Sequence, residues 1–390
     1  MNRGVDIPKV AAAAEEEGEG RSHWRSWFLV VGLVYVLLVG VGAIGDGFKL
    51  ATKENAAHLF VFAKNPLVGL IIGTVATALI QSSSTVSSII VGLVAGGLPL
   101  GIAIPMVMGA NIGTSLTSTL VSLGSIGHGE AFRRAFAAAT VHDVFNLLAV
   151  AILLPLEVAF APLAFFSGLL LEGMGEGVVV SLGGTNGMQT LLGPGAAVVW
   201  GMTFWLPGIW QGVAMAVLGG GVILLVVTSI GRVMRQVLVG RAKRVLHAAI
   251  GRGPLTGIFT GAVITMMMQS SSTTTALMVP LAASGIFSLA QVYPFTLGAN
   301  VGTTITAILA ATAVVGPLAP LAMQIAVVHL LFNVLGIAII FGLPFLRSLP
   351  IRGAEWLADW GQRSSWYVCG YILGVFFVLP LALIGLSTMF

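Results

Sequence analysis

The chain has 390 residues, 57% of them hydrophobic and only 8% charged, with a formal net charge of +4 and a mean hydropathy of +1.02. A soluble domain carries about 25% charged residues, so this composition excludes a water-soluble globular protein and suits a chain solvated by lipid. The 51 glycines agree, because small residues let membrane helices approach closely.

Residues 1–26 are polar and of low complexity, with the acidic run Glu15-Glu16-Glu17. They hold no short apolar core before a small-residue cleavage site, so they are not a cleaved leader; a disordered cytoplasmic tail is expected. A spanning helix needs ~20 mostly apolar residues. Segment 27–65 then supplies a first span (27–45) and a loop. Segment 66–155 holds an interrupted apolar stretch (66–98) and spans at 100–123 and 131–155, and 156–205 is a linker with a glycine-rich loop over 172–199. A linking span (206–230) and a basic loop fill 206–253; a second interrupted stretch (254–288) and spans at 291–312 and 318–344 fill 254–344. A loop and a final span (366–388) occupy 345–390. The one cysteine, Cys369, cannot form an internal disulfide and says nothing about compartment.

Each interrupted stretch carries a polar cluster near its middle, Gln81-Ser82-Ser83-Ser84-Thr85 and Gln269-Ser270-Ser271-Ser272-Thr273. Each is expected to enter the membrane, turn at the cluster and leave on the same side. Irregular backbone at that depth survives only where protein or a wet cavity covers it. Segment 231–252 holds six Lys and Arg and no acid, whereas 156–205 holds three acids and no base. The positive-inside rule puts the first in the cytoplasm and the second outside. Tracing from these anchors puts the N-terminus and Arg133-Arg134 inside, and the loop 46–64 outside despite its net charge of +1.

The sequence repeats itself. GLIIGTVATALIQSSSTVSS then MGANIGTSLTSTL, within Gly69–Leu120, return as GIFTGAVITMMMQSSSTTTA then LGANVGTTITAIL, within Gly257–Leu309. Each unit next carries VHxxFN, Val141-His142 with Phe145-Asn146 and Val328-His329 with Phe332-Asn333. The three motifs recur at 81 and 269, 109 and 298, 141 and 328, offsets of 188, 189 and 187 residues. One crossing separates the units, so the second begins on the opposite side of the membrane. That is an inverted-topology repeat, whose sites form from broken helices at the repeat interface. The expected fold is an all-α polytopic membrane protein of two such repeats, each with a re-entrant hairpin and a discontinuous helix.

The clusters supply amides and hydroxyls, groups that can point protons at an anion or oxygens at a cation. Helix N-termini at a break offer N–H donors to an oxyanion, and C-terminal carbonyls suit Na+. Gln81, Ser82, Ser83, Ser84, Gln269, Ser270, Ser271 and Ser272 are the anion candidates. The motifs Gly109–Thr114 and Gly298–Thr303 are expected to be a second break in each unit, with a tight helix-packing motif as the alternative. Their neutral oxygens on Asn111, Thr114, Ser115, Asn300, Thr303 and Thr304, with Ser83, Thr85, Ser271 and Thr273, suit a weakly held monovalent cation. Too few carboxylates are present for a Ca2+ cage. Asp143 is the one acid well inside a predicted span, and intramembrane acids default to function; its counterpart is Leu330. His142, Asn146, His329 and Asn333 are candidates for supporting contacts and serve as well for bonds between helices. All 18 Lys and Arg fall in loops, tails or span ends, so an anion at this site would meet no fixed positive charge and would need mobile cations beside it. There is no G-x-x-x-x-G-K-[ST] loop, no H-E-x-x-H and no G-x-S-x-G, which argues against ATP hydrolysis, a zinc protease and a serine hydrolase.

The paired QSSST and GAN-x-GT motifs, with FRRAFAAATVHDVFN at 132–146 and LLPLE at 153–157, resemble the type II sodium-dependent phosphate cotransporters over roughly 60–160 and 205–388. The resemblance implies cotransport of divalent hydrogen phosphate with several Na+ ions, at a site shared by Gln81–Thr85 and Gln269–Thr273. Na+ would be the coupling ion, with no other cofactor. Electrogenic members have an aspartate in the VHD stretch, which Asp143 matches. Animal members have a long, disulfide-bonded, glycosylated loop between the halves and a further span and tail, and some bacterial members have a soluble C-terminal domain. This sequence departs from all three; the first and third departures imply a minimal bacterial version in a cell membrane, and the second leaves the side of the C-terminus open. The partners implied are phosphate, sodium ions and the lipid bilayer, with no nucleic acid and no enzymatic activity. Rival readings are the same machine carrying sulfate or a small dicarboxylate, an anion channel, and a sensor that binds without flux.

Overall fold

The computed structural model describes residues 7–52, 65–173, 186–249, 253–378 and 382. Every regular element among them is helical. Six helices among the described residues are long and apolar enough to cross a membrane: Trp24–Thr52, Leu100–Ser125, Glu130–Phe160, Gly208–Arg235, Leu289–Thr312 and Ala319–Phe341. These match six of the seven expected spans. Of the seventh, only the short apolar helix Trp366–Val378 is described, and the rest lies outside the described residues.

The first helix, α1, runs Ile7–Thr52. It therefore begins inside the expected tail, where Ala11–Ala14 and Glu15–Glu17 are strong helix formers that let the span continue. The interrupted stretch gives α2 (Pro66–Ile80) and α3 (Ser83–Ala95). Next come α4 (Leu100–Thr114), α5 (Leu116–Ser122) and the long α6 (Glu130–Phe160). The linker is more helical than expected, with α7 (Pro162–Gly173) and α8 (Asn186–Thr203); residues 174–185 lie outside the described ones. Glu157, the acid of LLPLE, caps α7: its carboxylate accepts the N–H groups of Leu163 (2.7 Å) and Ala164 (3.1 Å).

The linking span is α9 (Gly208–Ala249). It carries helix well into the segment expected as a basic loop. The second interrupted stretch gives α10 (Pro254–Met268) and α11 (Ser271–Ala283), followed by α12 (Leu289–Thr312) and α13 (Ala319–Gly336), which ends in a π-helical turn at Ile337–Phe341. After the short α14 (Pro344–Arg347), α15 (Leu349–Arg363) occupies what was expected to be a loop. Its buried residues Pro350, Ala354, Ala358 and Gly361 recur every three or four positions, one helix face. That face lies on α6, where Gly361 abuts Phe136 and Gly353 abuts Val144. Arg133 Nε donates to Asp359 at 2.6 Å across the same contact, and Arg134 Nε donates to the carbonyl of Ala283 (3.2 Å) at the end of α11. The last described helix, α16, is Ser365–Leu373.

Glycines set the two closest helix pairs. A Cβ on Gly109 (α4) would meet the carbonyl oxygen of Leu70 (α2), and one on Gly73 (α2) the carbonyl of Met106 (α4). In the second half, Gly298 (α12) stands against the carbonyl of Ile258 (α10), and Gly261 (α10) against that of Phe295 (α12). The GAN-x-GT motif is thus the seam by which a hairpin arm is pressed onto its neighbour. Gly109–Thr114 lies inside α4, which a single right-handed turn residue, Ser115, separates from α5, and Gly298–Thr303 lies inside the uninterrupted α12. The glycines are used for approach, not for unusual backbone angles. Helices α1 and α9 also meet at glycines, Gly40 with Gly219 and Gly47 with Gly212, so these two long helices run antiparallel.

Gly109→Ala is expected to destabilise the protein by about 2–3 kcal/mol, because the obstacle is backbone and cannot rotate away. Gly101→Ala, with nothing near its Cβ, should be neutral or slightly stabilising. Thermal unfolding in detergent distinguishes them.

Candidate functional site

Both polar clusters form the same elbow. Helix α2 ends at Gln81, a left-handed residue (φ 57, ψ 31) whose N–H bonds to the Thr77 carbonyl at 2.7 Å. Ser82 is extended and caps α3, its Oγ accepting from the Thr85 N–H (3.2 Å) and from Thr85 Oγ1 (2.9 Å). Helix α10 likewise ends at Gln269 (φ 52, ψ 26), and Ser270 caps α11 by accepting the Thr273 N–H at 3.2 Å. A left-handed residue at a helix end is normally Gly or Asn. Here two glutamines hold it, at equivalent places.

The elbows come together. Ser272 Oγ donates to the Gln81 carbonyl at 3.4 Å, and Ser118 of α5 lies 2.7 Å from Thr275 of α11, hydroxyl to hydroxyl. Gln81, Ser82, Ser270, Ser272 and Thr273 line one cavity of about 620 Å³, with Thr117 and Thr228 adding hydroxyls. Ser83, Ser84, Thr85 and Ser271 are buried in or beside the first turns behind it. Gln269 faces inward differently: its amide donates to the Met266 carbonyl (2.7 Å) and accepts from Thr306 Oγ1 (2.7 Å). Thr117, the counterpart of Thr306, has a buried hydroxyl oxygen with no partner among the described residues.

The sequence expectation that an anion here meets no fixed positive charge is overturned. Arg232 and Arg235 of α9 line the cavity, and Arg235 Nη2 donates to Thr273 Oγ1 at 2.9 Å. The helix does not stop where the apolar run stops, and its next turn carries both guanidinium groups to the elbows.

The remaining candidates form two further clusters. Asp143 is buried; its Oδ2 accepts from Tyr371 (2.5 Å) and from Thr119 Oγ1 (3.2 Å), while Oδ1 has no hydrogen-bond partner in good geometry among the described residues. Phe136 and Phe376 pack edge-on against the Tyr371 ring and hold its hydroxyl there. Asn300 is the centre of the other cluster. Its Oδ1 bonds His142 Nε2, its amide donates to Asn146 Oδ1 (2.8 Å), and Asn146 in turn donates to the Asn111 carbonyl (2.8 Å). The second-half counterparts are not drawn in: both ring nitrogens of His329 lack partners, and Asn333 donates only to the His329 carbonyl (2.9 Å). Thr114, Ser115, Thr303 and Thr304 bond carbonyls of their own helices at 2.7–2.9 Å, as the Asn111 amide does to Val107 (3.0 Å). None of these five lines the elbow cavity.

Sequence reasoning missed Tyr371, Thr119, Thr117, Thr306 and the two arginines. The threonine pair was detectable as a matched position inside the repeat, and Arg232 with Arg235 as an i, i+3 pair on an unbroken helical run. Nothing in the sequence links Tyr371 to Asp143.

Span-length apolar helices around a cavity at two helix elbows mark a multi-pass membrane protein. A profile of the Na+/Pi-cotransporter family matches residues 36–179 and 199–347, and the chain belongs to that family. It is 33% identical over 447 residues to sodium-dependent phosphate transport protein 2B of Homo sapiens, with 92% of this chain and 65% of that protein covered. To sodium-dependent phosphate transport protein 2A of Rattus norvegicus it is 32% identical over 432 residues, covering 92% and 67%. The chain thus spans about two thirds of the length of the curated relatives it matches. No solved structure matches it.

Proposed function

We propose that this chain imports inorganic phosphate together with Na+, at the cavity where its two glutamine-serine elbows meet. The observation that carries the reading is that shared cavity. Elbows 188 residues apart in sequence contact one another through Ser272 and Gln81, and each opens a helix whose first turn has N–H groups free for an oxyanion. Membership of the Na+/Pi-cotransporter family and the printed names of the relatives support phosphate and Na+ as cargo.

In this reading the two units are inverted-topology repeats with re-entrant hairpins, and α5 is the far half of a helix broken at Ser115. Phosphate is held by Gln81, Ser82, Ser270 and Ser272, with Ser83, Ser84, Gln269 and Ser271 around them. Na+ is held by oxygens of the elbows and at Asp143. The second cluster around Asn300 joins the halves: it links α6 to α12 through His142 and Asn146. The N-terminus and the arginine-bearing end of α9 are cytoplasmic, as the charge distribution favours. Because Arg232 and Arg235 supply fixed charge, Na+ coupling rests on the family and on Asp143, not on an absence of cationic side chains.

Purified protein in sealed proteoliposomes is expected to accumulate radiolabelled phosphate when an inward Na+ gradient is imposed, and not when K+ replaces Na+. Flux indifferent to Na+ would end the coupling claim. Stronger competition by sulfate or a dicarboxylate than by unlabelled phosphate would change the cargo, and conductance that does not saturate would make the protein a channel.

A further inference from the structure

Arg232 and Arg235 sit one helical turn apart on α9, and both are exposed at the cavity that the elbows share. Among the described residues they are its only charged lining residues, and neither forms an ion pair with a described carboxylate. A guanidinium group offers a planar fork of N–H donors that fits two oxygens of a tetrahedral oxyanion, and it stays charged at any working pH. Two such groups beside hydroxyl donors can hold an anion by paired, charge-assisted hydrogen bonds.

Their contact with the second elbow is specific. Thr273 Oγ1 accepts from Arg235 Nη2 (2.9 Å) and from Ser270 Oγ (2.9 Å). In the first elbow the equivalent Thr85 Oγ1 bonds Ser82 Oγ at the same distance, 2.9 Å, so the Arg235 contact is what sets the second elbow apart among the described residues.

We propose that Arg232, Arg235 and the Thr273 hydroxyl form a phosphate-receiving station in the cavity wall beside the elbow serines, serving the side of the membrane on which the α9 arginines stand. The proposal rests on the phosphate reading above for its cargo. The station attracts the dianion and holds it by charge-assisted bonds until it passes to, or after it leaves, the elbow serines. Such a station acts on affinity from one side only.

The test compares the full-length protein with the Arg232→Gln/Arg235→Gln and Arg232→Lys/Arg235→Lys double variants. Half-saturating phosphate is measured in proteoliposomes for entry from each side separately. For the Gln variant it should rise about tenfold on the arginine side, the loss expected for charge-assisted hydrogen bonds, and stay within about twofold on the other. The Lys variant keeps the charge without the fork and should fall between. Half-saturation unchanged on both sides, or raised equally on both, overturns the proposal. If the Gln variant does not fold, the Lys variant carries the same comparison. Failure of the phosphate reading is seen separately, as wild-type vesicles with no Na+-dependent phosphate flux. In that event the rise in unfolding temperature of detergent-purified protein with phosphate or sulfate, at matched ionic strength, still decides the station. A rise lost in the Lys or Gln variant supports an oxyanion site, and an equal rise in variant and wild type overturns it.

Discussion

Gln81→Gly is expected to leave the protein as stable as before, or more stable by up to about 1 kcal/mol, while cutting phosphate flux at least tenfold. The stability half follows from backbone angles. Gln81 is held at φ 57, a left-handed conformation that costs an L-residue roughly 1–2 kcal/mol and glycine nothing, against the extra freedom glycine gains in the unfolded chain. The flux half follows from position. The Gln81 side chain is exposed at the cavity wall, beside Ser82 and opposite Ser272. Keeping a strained residue at both elbows, where glycine would serve the fold better, is the mark of a side chain retained for its amide. Thermal unfolding and uptake, measured on the same preparation, separate the two effects. Unimpaired flux in the variant would show that the amide holds no cargo and would leave the strain at Gln81 without a function.

Asp143→Asn is expected to lower the charge moved per phosphate by about one elementary charge, as Asp143→Gly should too. Asp143 is buried, with hydroxyl donors from Tyr371 and Thr119 on one oxygen and, among the described residues, no hydrogen-bond partner in good geometry on the other. No described Lys or Arg pairs with it. A buried carboxylate without a cationic partner is costly, and an ion taken from solution offsets that cost only when it is bound. Asparagine keeps the shape and an acceptor for Tyr371 while removing the charge. The second unit has Leu330 at the matching position, so nothing there replaces the lost site. Current and radiolabelled uptake recorded together give the ratio; an unchanged ratio would remove Asp143 from the cation path.

Much of this architecture was legible because the membrane imposes few solutions. An apolar run of spanning length has to be a helix, and a polar cluster at the same place in two such runs has to be covered, so the elbows at Gln81 and Gln269 followed from sequence. Gly298–Thr303 did not, because glycine serves a broken helix and a close-packed one equally well; only the carbonyl of Ile258 pressed against Gly298 decides between them. The arginines were misjudged for a related reason. Hydropathy shows where α9 leaves lipid, not that it continues unbroken and brings Arg232 and Arg235 alongside Thr273. Tyr371 lies 228 residues from Asp143, and no local pattern signals a contact at that range. The linker helices α7 and α8 were hidden by their glycines and by a cap, Glu157, supplied from the preceding helix.

The lengths of α1 and α9, 46 and 42 residues, correspond to about 69 and 63 Å of helix, roughly twice the hydrocarbon thickness. Since they are antiparallel, their overhangs emerge on one and the same face of the bilayer. The acidic run Glu15–Glu17 belongs to one overhang and the basic residues Arg241, Lys243 and Arg244 to the other, so segments of opposite charge extend from the same end of the helix pair. Whichever way one of these overhangs faces, the other faces with it.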